Sequence, residues 1–313
     1  MNRATITEGV VLSGANNIFQ VNAEGKTVQC RIKGKVLWAV ESEYNVLAPG
    51  DRVRIELSDG AGNEGRIVER GPRDNHLSRW NRKRNAVQAL AANVSLVAVV
   101  ASPVLPPLRP RFVDRMLAAA ELGGCELLIV LNKIDQGLPK QWAERITDYR
   151  RIGYPVCEVS AQTGVGLDEL RARFAGVTVA LAGQSGVGKS SLINAMLPGK
   201  TARTGDVSEK YSRGRHVTTA GETYRGDGLV IIDTPGIREI DLYPHSAVDI
   251  AWGFREFRDA DCAYSGCTHL HEPGCGVVEM VESGAVHPDR YDAYCGCVAD
   301  RDASGRRVGT WSA

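Results

Sequence analysis

No stretch of this 313-residue chain approaches the ~18 uninterrupted apolar residues that a membrane-spanning helix requires. The opening MNRATITEGV also lacks the apolar run of an export leader, so the expectation is a soluble, unexported, cytoplasmic protein without a membrane partner. An excess of charge of one sign is lacking too. Lys and Arg number 38 against 37 Asp and Glu, a formal +1, which excludes a uniformly basic nucleic-acid coat. Aromatic residues are sparse at 6%, yet 43% hydrophobic and 24% charged residues is ordinary globular composition and excludes wholesale disorder. At ~100–200 residues per domain, the length admits two or three domains with a sizeable core.

Eight cysteines are present. Cys30, Cys125 and Cys157 lie in apolar, strand-like segments and read as small core residues. The other five crowd between Cys262 and Cys297, and in an unexported chain such crowding points to metal ligation rather than bridging. Cys262, Cys267, His269 and Cys275 offer three thiolates and an imidazole, the donor set of a closed, tetrahedral, structural zinc site. With four protein ligands no position is left for water, so this is not a catalytic metal. His271 is an alternative to His269. Cys295 and Cys297 are either a second pair of ligands or free thiols.

The chain divides where its pattern changes. Residues 1–75 alternate in short apolar runs separated by Gly-rich turns, which predicts a small all-β barrel, OB-like or else SH3-like. Between Arg66 and Arg84 stand seven basic and two acidic residues, with His76 and Trp80 among them. That run offers cations for phosphates and rings for base stacking, or else is a solvated linker. Residues 76–250 alternate strands with helices, the signature of a doubly wound, largely parallel sheet. Strands are expected at 94–101, 126–131, 155–159, 177–182 and 229–233, and helices near 111–122, 140–151, 166–174 and 189–197. Residues 251–313 hold a helical stretch, the Cys/His cluster and a tail whose last ten residues are expected to be loose.

Gly183-Gln184-Ser185-Gly186-Val187-Gly188-Lys189-Ser190 fits G-x-x-x-x-G-K-[ST] between a predicted strand and a predicted helix. Glycines there let backbone N–H groups close around phosphates, Lys189 adds charge at the β and γ oxygens, and the Ser190 hydroxyl can ligate Mg²⁺. Asp233-Thr-Pro-Gly236 ends the next apolar strand, where the carboxylate would face the Mg²⁺ shell and the Gly236 N–H the γ-phosphate. Asn132-Lys133-Ile134-Asp135 closes another strand. Asp135 can accept the ring N1–H and exocyclic amine of guanine, with Asn132 on the other edge and the Lys133 stem over the ring. Adenine would leave that carboxylate unpaired, at a loss of ~1–3 kcal/mol. Ser160-Ala161 follows the next strand and can offer a backbone N–H to the guanine carbonyl. Base recognition therefore precedes phosphate recognition, so the GTPase domain reads as circularly permuted, with Ala175-Gly176 joining the old termini.

These motifs, with AANVSLVAVVAS, FVDRMLAAAE, RGRHVTT and DTPGIRE, give the chain a resemblance to the circularly permuted small-subunit biogenesis GTPases of the RsgA (YjeQ/YloQ) family, over almost its whole length. The resemblance implies an α/β fold: an OB barrel, a permuted P-loop GTPase domain and a C-terminal zinc-binding domain. It implies GTP and GDP, Mg²⁺ and one Zn²⁺ as ligands, with Ser191 a further nucleotide contact. It implies the small ribosomal subunit and its rRNA as partners of a monomeric GTP hydrolase whose turnover the subunit stimulates. It also directs attention to the first switch loop, where Thr218 or Thr219 would close over Mg²⁺ beside Ser190, and His216 would position the attacking water. Read without the resemblance, a lone His in a basic loop such as His216 is more often a phosphate or RNA contact. Val217 stands where the family usually has a threonine. Ile237, after Asp233-Thr-Pro-Gly236, cannot orient water, so slow unassisted hydrolysis is expected. Two rival classes remain: an RNA-binding module that holds nucleotide as a ligand only, and an ATP-driven kinase, which Asp135 opposes.

Overall fold

The computed structural model describes residues 6–15, 17–34, 43–57, 63–197, 199, 202 and 221–309, without the side chains of 307–309. The switch residues 213–219, with His216, Thr218 and Thr219, lie outside the described residues.

Alternating apolar residues turn the N-terminal segments into β1 (Ile6–Ala15), β2 (Ile18–Ala23), β3 (Lys26–Ile32), β4 (Arg52–Leu57) and β5 (Glu64–Arg70). Pairing runs 1-2-3-5-4 and returns to β1, with β3 and β5 parallel and every other pair antiparallel. This is a closed five-stranded barrel of OB-like type. Val11, Val21, Val28, Cys30, Val53, Ile55 and Ile67 point inward from alternate positions and form its core.

The basic run that follows is neither a linker nor a stacking platform. It continues from β5 into a hairpin, β6 (His76–Asn81) and β7 (Ala86–Ala92). Trp80 is buried at 8% exposure and meets Tyr243 edge-on at 4.6 Å. Arg73 grips the fully buried Asp51 through two bonds of 2.7 and 2.8 Å, Arg70 reaches Glu43 at 2.7 Å, and Arg82 bridges Asp241 and Asp300. Three of the seven cations therefore neutralise carboxylates of other segments, and Arg79 donates to the Gln88 side chain. Arg66, Lys83 and Arg84 stay exposed.

The central sheet contains β8 (Leu96–Ala101), β9 (Glu126–Asn132), β10 (Val156–Val159), β11 (Thr178–Gly183), β12 (Glu222–Gly226) and β13 (Leu229–Asp233) in the order 10-9-8-11-13-12. The first five are parallel and β12 is antiparallel to β13. α1 (Pro110–Leu122), α2 (Lys140–Ile152), α3 (Leu167–Phe174) and α4 (Lys189–Met196) are the crossover helices. A core lies on each face: Met116, Leu117 and Ile129 belong to one, Val100, Leu128, Phe174 and Leu192 to the other. The chain passes from α3 to β11 through Ala175–Val177, with Gly176 at φ +73°, so the joint expected for the permutation is short and real. Barrel and sheet also meet: β1 pairs with β12 at Ser13 and Glu222, and the Thr223 hydroxyl donates to the Leu12 carbonyl at 2.8 Å.

The C-terminal region is α5 (Ala247–Trp252), α6 (Gly276–Glu282) and α7 (Pro288–Gly309) around a Cys/His loop. The expected loose tail is mostly the end of α7, whose Ser304 is buried and donates to Asp241 at 2.6 Å. α7 lies against α1, and Gly296 sits where a Cβ would come within 2.7 Å of the Arg115 guanidinium. Arg290, fully buried, donates to Asp114 at 3.0 Å and to both Glu256 oxygens at 2.6 and 2.8 Å. Asp114 also receives Arg145 at 3.2 Å and the Tyr149 hydroxyl at 2.7 Å. Removing one partner of such a network strands buried charge. Arg290→Met should lower the unfolding free energy by about 3–5 kcal/mol, read from urea denaturation; a loss below about 1 kcal/mol would show that the network carries no such burden.

Candidate nucleotide and metal sites

Parallel strands deliver their following loops to one edge of a sheet, and here four such loops meet. Asn132 ends β9, Ser160-Ala161 follow β10, Gly183–Ser190 link β11 to α4, and Asp233 ends β13. The first three interlock through Asn132, which is buried. Its amide donates to the Val187 carbonyl at 3.0 Å, and its carbonyl accepts the Ala161 N–H at 3.1 Å. Gly188, at φ +97°, is the close approach this requires: a Cβ there would sit 2.3 Å from the Asn132 amide nitrogen. Lys133 adopts φ +67°, and its ammonium donates to the carbonyls of Leu105 and Gly186 at 2.6 and 2.7 Å. The Leu105 carbonyl is a pocket contact the sequence reading missed. Its only signal is the proline-rich SPVLPPLRP directly after β8. The Ser160 hydroxyl donates to Asp135 at 2.5 Å and accepts the Thr163 N–H, so the loop that carries Ala161 also orients the Asp135 carboxylate.

On the phosphate side, Lys189 is buried and donates to the carbonyls of Gly183 and Gln184 at 3.1 and 3.3 Å. Burial lowers its pKa, against the pull of Asp233. Burial likewise raises the pKa of Asp233, with Lys189 opposing. Ser190 reaches one Asp233 oxygen at 3.5 Å, and the other is buried with no hydrogen-bond partner among the described residues. An ammonium and a carboxylate each pushed towards neutrality fit a site completed by other charges: phosphate oxygens for the first, a divalent cation such as Mg²⁺ for the second. Gly236 packs against Ser185, where a Cβ would lie 3.3 Å from its backbone, so the Asp233-Thr-Pro-Gly236 loop abuts the phosphate loop. Ile237 is buried in the core and its N–H donates to the Gly183 carbonyl at 3.2 Å. It holds that loop in place and has no route to a water.

In the C-terminal region the ligand atoms of Cys262, Cys267, His269 and Cys275 lie within 4.8 Å of one another. His271, Cys295 and Cys297 are not in this cluster. The His269 Nδ1 is 3.5 Å from the Cys262 sulfur and 3.4 Å from that of Cys275. Tetrahedral zinc, with Zn–S of ~2.3 Å and Zn–N of ~2.0–2.1 Å, sets sulfur–nitrogen edges at about 3.5 Å. The residues therefore fit zinc. Burial lowers the His269 pKa and keeps the imidazole neutral, as a metal ligand must be, and pushes the Cys267 thiol up to about 12, which only a bound cation would reverse. Around the cluster, the Tyr291 hydroxyl donates to the His269 carbonyl at 2.7 Å. The Glu272 carboxylate accepts the N–H groups of Thr268, Leu270 and His271. The loop shape thus has supports of its own.

A parallel sheet with strand-end loops for phosphate, Mg²⁺ and guanine, in rotated chain order, defines a circularly permuted P-loop GTPase. Residues 70–243 match the RsgA GTPase family, and the chain belongs to that family. It is 38% identical over 295 residues to the small ribosomal subunit biogenesis GTPase RsgA of Gemmatimonas aurantiaca, covering 93% of this chain and 96% of that one. The RsgA of Geobacillus kaustophilus is 37% identical over 300 residues, covering 94% and 97%. Among solved structures, YjeQ from Thermotoga maritima superposes with a TM-score of 0.73 at 30% identity, covering 95% of this chain and 98% of that one. YloQ, described as a circularly permuted GTPase, gives 0.68 at 27% identity, covering 96% of each chain.

Purified protein should carry one zinc per chain by elemental analysis. Cys275→Ser, which removes one of four ligands, should reduce zinc retention by at least about tenfold in a chelator competition. Unchanged retention would place the ligands elsewhere.

Proposed function

We propose that this protein binds GTP with Mg²⁺, hydrolyses it to GDP and phosphate, and acts in the biogenesis of the small ribosomal subunit. The observation that carries the nucleotide assignment is the double hydrogen bond of Asn132, which fastens the base-reading loops to the phosphate loop. In this reading residues 76–250 are the GTPase unit, between a barrel of residues 1–75 and a zinc-bearing unit of 251–313. Asp135 selects guanine, Asn132 and Ala161 hold its other edge, and the Lys133 stem covers the ring. The backbone from Gly183 to Gly188 and the first turn of α4, with Lys189, Ser190 and Ser191, take the phosphates. Ser190, Thr219 and the unpartnered Asp233 oxygen serve the Mg²⁺, which neutralises phosphate charge, and the Gly236 N–H faces the γ-phosphate.

With Ile237 in the core, the water must be oriented by another group, and His216 is the one assigned to that task. The exposed Arg66, Lys83 and Arg84 are the cations left for rRNA phosphates, and the relatives' names supply the subunit as partner.

Asp135→Asn should turn the preference from guanine to xanthine nucleotides by about 10–100-fold in a binding assay, because the carboxamide donates to the xanthine 2-oxo group where the carboxylate only accepted. Retained guanine preference would remove Asp135 from base recognition. Multiple-turnover GTP hydrolysis should rise when purified small subunits are added, and His216→Ala should abolish that rise while leaving GTP affinity within about twofold. No rise with the unaltered protein would leave nucleotide as a bound ligand rather than a substrate.

A further inference from the structure

Beside the Cys/His cluster lies a groove of about 310 Å³ whose floor is Cys262, Cys267 and His269 and whose walls include Val248, Trp252 and Tyr264. Large exposed apolar side chains are few. Among the described residues there are seven, and Val248, Trp252 and Tyr264, at 44%, 62% and 55% exposure, are three of them. Three such residues converging on one concavity mark an interaction surface rather than scattered surface apolarity.

The segment that supplies its lining is one-sided in charge. Residues 242–282 hold seven acidic side chains against two arginines and no lysine. Both arginines, Arg255 and Arg258, are committed to Glu121. Asp259 and Asp261 are exposed and form no ion pair among the described residues, and Asp261 lines the groove. A zinc ion held by three thiolates and a neutral imidazole would add a net negative charge at the floor. The Arg258 guanidinium lies 5.0 Å from the centre of the Trp252 ring, so the wall already accepts a planar cation on one face.

We propose that this groove docks an arginine- and lysine-rich segment of a protein partner. Its cations would stack on Tyr264 and the free face of Trp252 while Asp259 and Asp261 pair with them. Phosphodiester backbone suits the field poorly, since it would bring negative charge against unpaired carboxylates. The groove is thus a protein-reading surface, whatever the rate of GTP turnover.

The test is fluorescence anisotropy on the full-length, zinc-loaded protein, with a labelled peptide of alternating Arg, Lys and Gly and, separately, labelled oligouridine. The peptide should bind saturably. Trp252→Ala and Tyr264→Ser should each weaken it about three- to tenfold, and Asp259→Lys, which touches no zinc ligand, should do so by a similar factor. Variants are compared at equal zinc content and equal melting temperature. Equal peptide affinity in the unaltered protein and all three variants would overturn the proposal. So would oligouridine binding that Trp252→Ala abolishes and Asp259→Lys strengthens, the pattern of an RNA surface.

Discussion

One buried carboxamide makes the rotated chain order workable. Asn132 hydrogen-bonds Val187 on one side and Ala161 on the other, across 55 and 29 residues of sequence. A GTPase pocket needs its base loops and phosphate loop at fixed separation, and a carboxamide has one donor group and one acceptor to spend on that separation. Chain order is irrelevant to the bond. What matters is that β9, β8 and β11 are neighbours in the sheet and parallel, so the ends of β9 and β11 face the same way. Gly188 completes the arrangement by omitting the one carbon that would fill the gap.

Electrostatics are sorted between inside and outside in a way composition cannot reveal. Near-zero net charge hides a set of internal ion pairs that join segments far apart in sequence: Arg73 with Asp51, Arg82 with Asp241 and Asp300, Arg290 with Asp114 and Glu256. Such pairs gain little over apolar packing, but they tolerate only one arrangement of their partners and so fix how the elements meet. The hairpin β6–β7 is fastened by backbone bonds as well: the Trp80 main-chain N–H donates to the Asp241 carbonyl and that of Ala92 to the Pro49 carbonyl. It thereby touches both the barrel side and the C-terminal side of the molecule.

The sequence made the five parallel strands of the central sheet legible because they are largely buried on both faces and read as apolar runs; β13 falls at the expected 229–233. The nucleotide loops were legible because their residue types are dictated by local chemistry. Three elements were not, one of them β12, whose Glu222-Thr-Tyr-Arg-Gly226 has no apolar run. The basic run into the hairpin looks solvated, since the carboxylates that meet Arg73 and Arg82 are supplied from 22 and 159 residues away. The end of α7 contains Ser304, Gly305 and Gly309, poor helix formers, and owes its helicity to burial against other elements, as Ser304 on Asp241 shows. Leu105 entered the pocket through its backbone carbonyl, and a backbone contact leaves no mark in residue type.

The pairing of Asp114 with Arg290 spans 176 residues. During synthesis α1 leaves the ribosome long before α7 exists, so its carboxylate has Arg145 at hand but must wait for the second guanidinium that closes the core over it. Until then the layer of helix lying beneath the nucleotide-binding strands is incomplete. A chain that stopped short of α7 would keep the Gly183–Ser190 loop intact and yet lack the cation that meets Asp114 beneath the sheet.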